Sequence, residues 1–207
     1  ILQPGVPKIT PMRNIEPANH NFLIITHPRL RQPAGNISDP VKAYANYRAS
    51  PAGGSYDTLI VEIEQLYNQF SFGETSSLAI YNFLKYMATA DHEKRHVLII
   101  GKGLTPNYNA HRNIPTSEVI HDLVPTGGFP GGDMVFSANI RGNGFVPWFS
   151  TGRISATNSA MVVDYLNKVI EMENLPFTEL WRKELVHLSG GRGITEQTIF
   201  RNYVDQF

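Results

Sequence analysis

The sequence predicts an α/β fold in which a parallel sheet lies between two layers of helices. Short continuous apolar runs, FLII at residues 22–25 and VLII at residues 97–100, are typical of strands that are covered on both faces. These runs alternate with stretches of helical periodicity, and that alternation favours crossover connections between parallel strands. The sequence therefore predicts a three-layer sandwich.

The first hundred residues carry the clearest elements. Apolar runs that end at turn residues predict three strands, over residues 21–26, 58–62 and 96–100. Helical spacing predicts the helices between them, over residues 40–48, 63–70 and 77–87. The first helix has the strongest start signal, because Asp39 is a good N-cap and Pro40 suits the first helical position.

The rest of the chain is less regular. Short strands are predicted at residues 123–126, 134–136 and 146–150, around a glycine-rich turn at residues 127–132. Asn158 or Ser159 caps the longest helix, which ends before Pro176. A last strand at residues 184–189 is followed by a glycine turn and a helix whose inward face is predicted to carry three residues, Ile199, Phe200 and Tyr203.

These elements predict four consecutive regions. Residues 1–19 form a proline-rich lead-in on the surface or a tether, residues 20–155 the first α/β subdomain, and residues 156–183 the crossover helix and its connection. Residues 184–207 form the first strand and helix of a truncated second subdomain, since a single strand and helix cannot bury their own apolar faces. A start without Met and an end at Phe207 suggest a piece of a longer protein.

Composition excludes several classes of function. Eighteen basic residues offset eighteen acidic ones among the 207 residues, so the chain has no overall field that would attract nucleic acid. No apolar run approaches the roughly 20 residues of a membrane span. The sequence has no cysteine, which excludes disulfides, thiolate metal sites and a cysteine nucleophile within these residues.

Two glycine turns follow predicted strands and are candidate phosphate sites. Gly101-Lys102-Gly103 lacks the third glycine of a dinucleotide fingerprint, and residues 189–193 (SGGRG) lack the lysine and spacing of a P-loop. A tight turn is the favoured interpretation of the second, and nucleotide binding is disfavoured at the first.

Polar residues near predicted strand ends are the remaining candidates. Six of them are expected to cluster at the carboxyl edge of the sheet: Glu62, Lys102, Thr126, Thr151, Arg153 and Ser189. For Arg153, pairing with a carboxylate that anchors the long helix is favoured over binding an anionic ligand. His27 ends the first strand, and a hydrogen-bonded loop histidine is the favoured interpretation there.

Other site chemistry has little support in the sequence. The seven histidines show no metal-ligand spacing, and the acidic residues near turns form no cation loop: Asp57, Glu62, Asp133 and Glu196. The aromatic residues, Phe72, Phe83 and Trp148 among them, follow core spacing. The sequence therefore identifies no catalytic, cofactor-binding or metal-binding residue.

Several segments in a fixed order resemble the gingipain-type cysteine peptidases, closest to the gingipain-like sortases of the type IX secretion system in Bacteroidetes. The resemblance rests on NFLIITHP (21–28), YANYRASPAGG (44–54), LYNQFSFG (66–73), HVLIIGKG (96–103), VPTGGFPGGD (124–133), TGRISA (151–156) and LWRKELVHLSGG (180–191). It covers nearly the whole chain after residue 19.

The resemblance implies a Rossmann-like, caspase-like architecture of two side-by-side α/β subdomains, with a His/Cys dyad on the second. That dyad falls beyond this sequence, so the piece is expected to be inert scaffold of a peptidase at the cell surface or outside the cell. Its implied partners are the rest of its own domain and a peptide substrate, with no cofactor. Two alternatives stay open: a non-catalytic peptidase-like adaptor, and a Rossmann-like module that binds a small ligand.

Overall fold

The computed structural model describes residues 12–104, 122–142, 144–186 and 188–206. The chain divides into two compact units, Ile1–Glu173 and Asn174–Phe207. Three of the seven histidines, His111, His121 and His187, lie outside the described residues.

The first unit contains a four-stranded parallel sheet. Its strands are β1 (Phe22–Thr26), β2 (Thr58–Glu62), β3 (His96–Ile100) and β4 (Ser150–Ile154). They lie in the order β2-β1-β3-β4, with Thr26 opposite both Glu62 and Ile100, and Ile100 opposite Ile154. The parallel α/β fold predicted from the sequence is confirmed.

Helices cover both faces of this sheet. They are α1 (Pro40–Ala49), α2 (Ile63–Phe70), α3 (Leu78–Met87) and α4 (Ser159–Asn174). One core contains α2 and α3 side chains with alternate strand residues such as Leu23, and the other contains α1 and α4 side chains with the intervening residues such as Ile24. Because successive residues of β1 face the two cores in turn, the sheet is the middle layer of a three-layer sandwich.

Polar caps start the helices of the second layer. The Asp39 Oδ1 atom accepts a hydrogen bond from the Lys42 N–H at 3.0 Å, and Pro40 occupies the first turn of α1. Asn158 Oδ1 accepts in the same way from the Met161 N–H at 3.1 Å at the start of α4. Both caps were predicted.

The described part of the lead-in segment packs against the first unit. Ile15 is buried in the core that contains α2 and α3, and the Tyr86 hydroxyl donates to its carbonyl at 2.6 Å. The Arg13 Nη1 atom donates to the Ile60 carbonyl of β2 at 2.9 Å, and His92 Nε2 lies 3.0 Å from the Pro17 carbonyl. Residues 13–17 therefore lie against the first unit, with Ile15 as their buried contact.

The connection from β3 to β4 differs from the prediction. Residues 123–126 are irregular, and Met134–Phe136 is a 3₁₀ turn. The strand predicted at residues 146–150 is displaced to Ser150–Ile154, so Arg153 lies within β4 and not after it. The prediction followed the apolar run at residues 146–149, but Val146 at its start is exposed. The strand itself, β4, is a half-exposed edge strand with polar residues, so it lacks an apolar signal.

The second unit has no buried core among its described residues. A 3₁₀ turn at Leu180–Lys183 precedes helix α5 (Ile194–Val204), and the described residues of 184–189 form no ladder. The side chains predicted to face inward from α5, Ile199, Phe200 and Tyr203, are exposed. None of the helices in the described part of the chain has the length and apolar character to cross a membrane.

Candidate functional site at the carboxyl edge of the sheet

The carboxyl ends of β1, β2, β3 and β4 meet at one edge of the sheet, where open α/β sheets bind their ligands. Two arginine clusters occupy this edge, one beyond β3 and β4 and one beyond β1 and β2. Each cluster ties loops to the ends of the strands.

Arg153 is the centre of the first cluster, and its side chain is only 9% exposed. Its Nε and Nη2 atoms each donate to an oxygen of the Asp133 carboxylate at 2.7 Å. The Nη1 atom donates to the carbonyls of Gly101 at 2.6 Å and Val124 at 2.8 Å, and Nη2 also donates to Pro125 at 3.0 Å. All five guanidinium N–H groups are therefore used.

This arrangement shows what Arg153 does. It pairs with a carboxylate, as the favoured interpretation expected, but the carboxylate belongs to the loop before β4 and not to the long helix. An arginine whose donors are all taken by protein oxygens has none left for an anionic ligand. Arg153 therefore anchors the irregular segment 122–136 to the strand ends.

The Gly101-Lys102-Gly103 turn packs closely against the same segment. A Cβ atom on Gly101 would lie 2.8 Å from the Val124 Cγ2 atom, and one on Gly103 would collide with the Val124 carbonyl oxygen. The Lys102 carbonyl accepts hydrogen bonds from the N–H groups of Leu123 and Val124. Close approach of two backbones thus explains these glycines.

We expect Gly103→Ala to lower the free energy of unfolding by about 1–3 kcal/mol, because the added methyl group must displace backbone atoms. The matched control is Gly152→Ala, since a Cβ at Gly152 would meet nothing within 4 Å. Urea unfolding followed by circular dichroism measures both. Equal stability of the two variants would show that the turn is not closely packed.

Arg31 is the centre of the second cluster, beyond β1 and β2. Its Nη2 atom donates to Asp39 Oδ2 and its Nη1 atom to Glu62 Oε1, both at 2.7 Å. Asp39 also caps α1, so this cluster connects the end of β2 to the start of that helix.

His27 lies beside this cluster at the end of β1. Its Nδ1 atom accepts a hydrogen bond from the Arg29 N–H at 3.1 Å and so caps the 3₁₀ turn Pro28–Arg31. This acceptor role places the ring proton on Nε2. Burial lowers the pKa of His27, while Glu64 and Glu62 oppose that shift. A hydrogen-bonded loop histidine is what the structure shows.

The six residues expected to share this edge are only partly brought together. Lys102, Thr126 and Arg153 are neighbours, and the Thr126 hydroxyl donates to the Leu104 carbonyl at 2.8 Å. Glu62 lies at the other end of the edge with Arg31. Thr151 pairs in register with Val97, near the amino ends of the strands, so its predicted place was wrong. The sixth residue, Ser189, belongs to the second unit.

Three half-buried histidines predict a loss of stability in mild acid. Burial is the largest cause that lowers the pKa of His20, His27 and His96, and nearby cations (Arg13, Arg29 and Arg48 respectively) lower it further. Since the folded-state pKa lies below the unfolded value of about 6.5, the unfolded chain binds more protons below that pH.

We therefore expect the free energy of unfolding to be constant above about pH 7 and to fall as the pH drops below about 6.5. Urea titrations between pH 7.5 and pH 5 measure it. The triple variant H20N/H27N/H96N should show a flatter profile, and an unchanged slope would contradict this origin.

Neither ion-pair cluster contains a hydroxyl, thiol or amine that could act as a nucleophile. Their carboxylates accept from arginine, and no group of three or more metal-ligating side chains occurs within the described ranges. The sequence has no cysteine. The arrangement can position loops at the carboxyl edge, which is the work of a scaffold.

Sequence reasoning missed the members of these clusters that act through side-chain contacts. Arg31 was not singled out, and Asp39 was identified only as a helix cap. A charged residue that precedes an Asp-Pro helix start is the available signal for the second cluster, that of Arg31. The pairing of Asp133 with Arg153 spans 20 residues of irregular chain and leaves no periodic signal.

Comparison with known proteins places this scaffold in a family. The family model for peptidase family C25 matches residues 15–207. The chain belongs to peptidase family C25. The match covers both units, including β1 to β4, and it agrees with the gingipain-type resemblance of the sequence segments. No curated protein matches the chain.

A solved structure shows the same fold as this C25 chain. The crystal structure of dimeric latent PorU from Porphyromonas gingivalis superposes with a TM-score of 0.57 at 16% sequence identity, over 84% of this chain and 17% of PorU. The chain thus spans less than a fifth of that protein's length. At this identity the likeness concerns the fold alone.

Proposed function

We propose that this chain is the scaffold portion of a gingipain-like cysteine peptidase of the type IX sortase kind, and that residues outside this sequence supply the His/Cys dyad. The observation that carries the proposal is the C25 match over residues 15–207 in a sequence without cysteine. C25 chemistry requires a thiolate activated by an imidazole, so this portion is inert without the rest of the domain.

The first unit positions that missing part. Its two arginine clusters fix the loops at the carboxyl edge of the sheet, and such loops commonly carry the chemistry of α/β proteins. The proposed partners are the remainder of the peptidase domain and a peptide substrate. A parent at the cell surface or outside the cell is proposed from membership of family C25 and the gingipain-type resemblance of the sequence.

A separate second subdomain is proposed to begin near residue 184, and the topology of the first unit argues against extension of its sheet at the β4 edge. The connection from β1 to β2 runs through α1 over one face of the sheet. The connection from β2 to β3 runs through α2 and α3 over the opposite face and in the opposite direction, so both crossovers have the same hand. A strand that followed α4 and joined the free edge of β4 would complete a crossover of the opposite hand, which is rare.

The anion-binding alternative gains no support from the two glycine turns. The first is filled by residues 123–126. In the second, the Glu196 carboxylate accepts from the Arg192 N–H at 2.7 Å, and Gln197 Nε2 donates to the Gly191 carbonyl at 3.1 Å. The Glu196 carboxylate of α5 thus takes a backbone N–H group that a phosphate would need.

A peptidase assay on the isolated chain tests this proposal. With fluorescein-labelled casein and a pool of fluorogenic peptides under reducing conditions, we expect cleavage no faster than in buffer. Cleavage that coelutes with the folded chain on gel filtration and scales with its concentration would overturn the proposal.

A further inference from the structure

The two edges of the four-stranded sheet differ in how they are protected. At the β2 edge, the Arg13 Nη1 atom donates to the Ile60 carbonyl, so the lead-in segment covers part of that strand. The other edge is β4, which pairs only with β3 among the described residues. Edge strands normally carry some protection against further pairing.

The outward backbone groups of β4 belong to Thr151 and Arg153. The Ser150 N–H donates to the Arg95 carbonyl at 2.9 Å, and the Ile154 carbonyl accepts from the Gly101 N–H at 2.9 Å. Because successive residues alternate in direction, the N–H and carbonyl groups of Thr151 and Arg153 point to the free side. Gly152 between them is exposed, with open space where a side chain would be.

The sequence of β4, STGRI, contains no device that would block pairing. It has neither proline nor lysine, and the charge of its arginine is turned away into the pair with Asp133. Natural proteins use lysine, proline or bulges to keep such edges from accepting a strand. Within the described ranges, the β4 edge is therefore open to an extended backbone.

A cavity of about 660 Å³ lies at the amino end of this edge, between residues 93–96 and residues 147–151. Lys94 has no carboxylate partner among the described residues, and its Nζ atom lies 5.3 Å from the centre of the Tyr56 ring. Arg95 and Arg141 share a single carboxylate, Asp91, at 2.9 and 3.9 Å.

Those two arginines also fix the wall of the cavity. Their guanidinium groups lie 3.9 Å (Arg95) and 4.1 Å (Arg141) from the centre of the Trp148 ring. Such stacking holds both the indole and the cations in place. Glu93 also lines the cavity, so three cations stand against the two carboxylates of Asp91 and Glu93, and the amino end of the β4 edge keeps a net positive charge that suits a further carboxylate.

We propose that the free edge of β4 binds an acidic peptide segment in extended conformation, with the peptide's carboxylates at Lys94 and Arg95. The backbone of the peptide pairs with Thr151 and Arg153, and an antiparallel arrangement places the acidic residues at its carboxyl end. This site is independent of the proposed peptidase function, since it uses neither the dyad nor the carboxyl edge.

Titration of the ¹⁵N-labelled chain by NMR tests the proposal, with the peptide acetyl-VTVTDD-amide as the probe and acetyl-VTVTNN-amide as its matched control. We expect shifts of the Thr151 and Arg153 amide signals, and about tenfold weaker binding of the amide-bearing control. Lys94→Glu should weaken binding of the acidic peptide about tenfold, whereas Lys42→Glu on the exposed surface of α1 should not.

Three outcomes would overturn the proposal. The first is no shift of the two β4 amide signals at millimolar acidic peptide, and the second is equal affinity for the two peptides. The third is a concentration-dependent dimer in sedimentation equilibrium that protects the same amides, which would assign the edge to a second copy of the chain.

Discussion

Replacing Arg153 by methionine is expected to lower the free energy of unfolding by about 3–5 kcal/mol, because the variant leaves a largely buried carboxylate without its cation. The Asp133 side chain is 19% exposed, and each of its carboxylate oxygens accepts a hydrogen bond from Arg153. Three backbone carbonyls lose their donors in the same variant. Guanidinium chloride unfolding followed by circular dichroism measures the loss.

Three further variants separate the charge pair from general packing. In R153M/D133L, removal of the orphaned carboxylate should recover about 1–2 kcal/mol. Arg153→Lys keeps the charge but lacks the planar fork, so its stability should fall between those of the wild type and R153M. Arg201→Met is the exposed control, since that side chain is 78% exposed and its pair with Asp205 is 3.8 Å long. A small loss for R153M, similar to that of the control, would contradict the anchoring role.

Replacing Phe83 by alanine is the second change with a large expected effect, a loss of about 3–5 kcal/mol in the free energy of unfolding. Phe83 is fully buried on α3, and its ring centre lies 5.4 Å from that of Phe70 on α2 in an edge-on contact. The substitution leaves a cavity between these helices and the sheet. Chemical unfolding measures the loss.

Phe72→Ala is the matched control for this variant, because Phe72 is fully exposed in the loop after α2. Its removal should change the free energy of unfolding by less than about 0.5 kcal/mol. If both alanine variants lost the same stability, the core that contains α2 and α3 would not be packed as described.

Buried elements were the predictable part of this fold. The runs that form β1, β2 and β3 are apolar because helices cover both faces of the sheet, and their predicted bounds agree with the structure within a residue. The start of α1 was equally clear, because its cap is local in sequence. Local signals of this kind need no knowledge of distant contacts.

Contacts between distant segments were not predictable. Strand β4 is half exposed and contains glycine and arginine, so hydropathy favoured the more apolar residues before it. Phe72 follows core spacing in the sequence, yet its backbone takes a positive φ of 56° and its ring is exposed. The partner of Arg153 lies in an irregular loop, where no periodicity indicates which residues meet.

Covalent labelling of the full-length parent protein is the most direct test of the central claim, that this chain is the scaffold of a peptidase whose thiolate lies outside it. We expect iodoacetamide at pH 6 to label one cysteine faster in the folded protein than in urea, as intact mass spectrometry measures, because a paired imidazole lowers the thiol pKa. Replacing the paired histidine should remove that difference. A folded parent in which no cysteine reacts faster than in urea would contradict the claim and favour a non-catalytic adaptor.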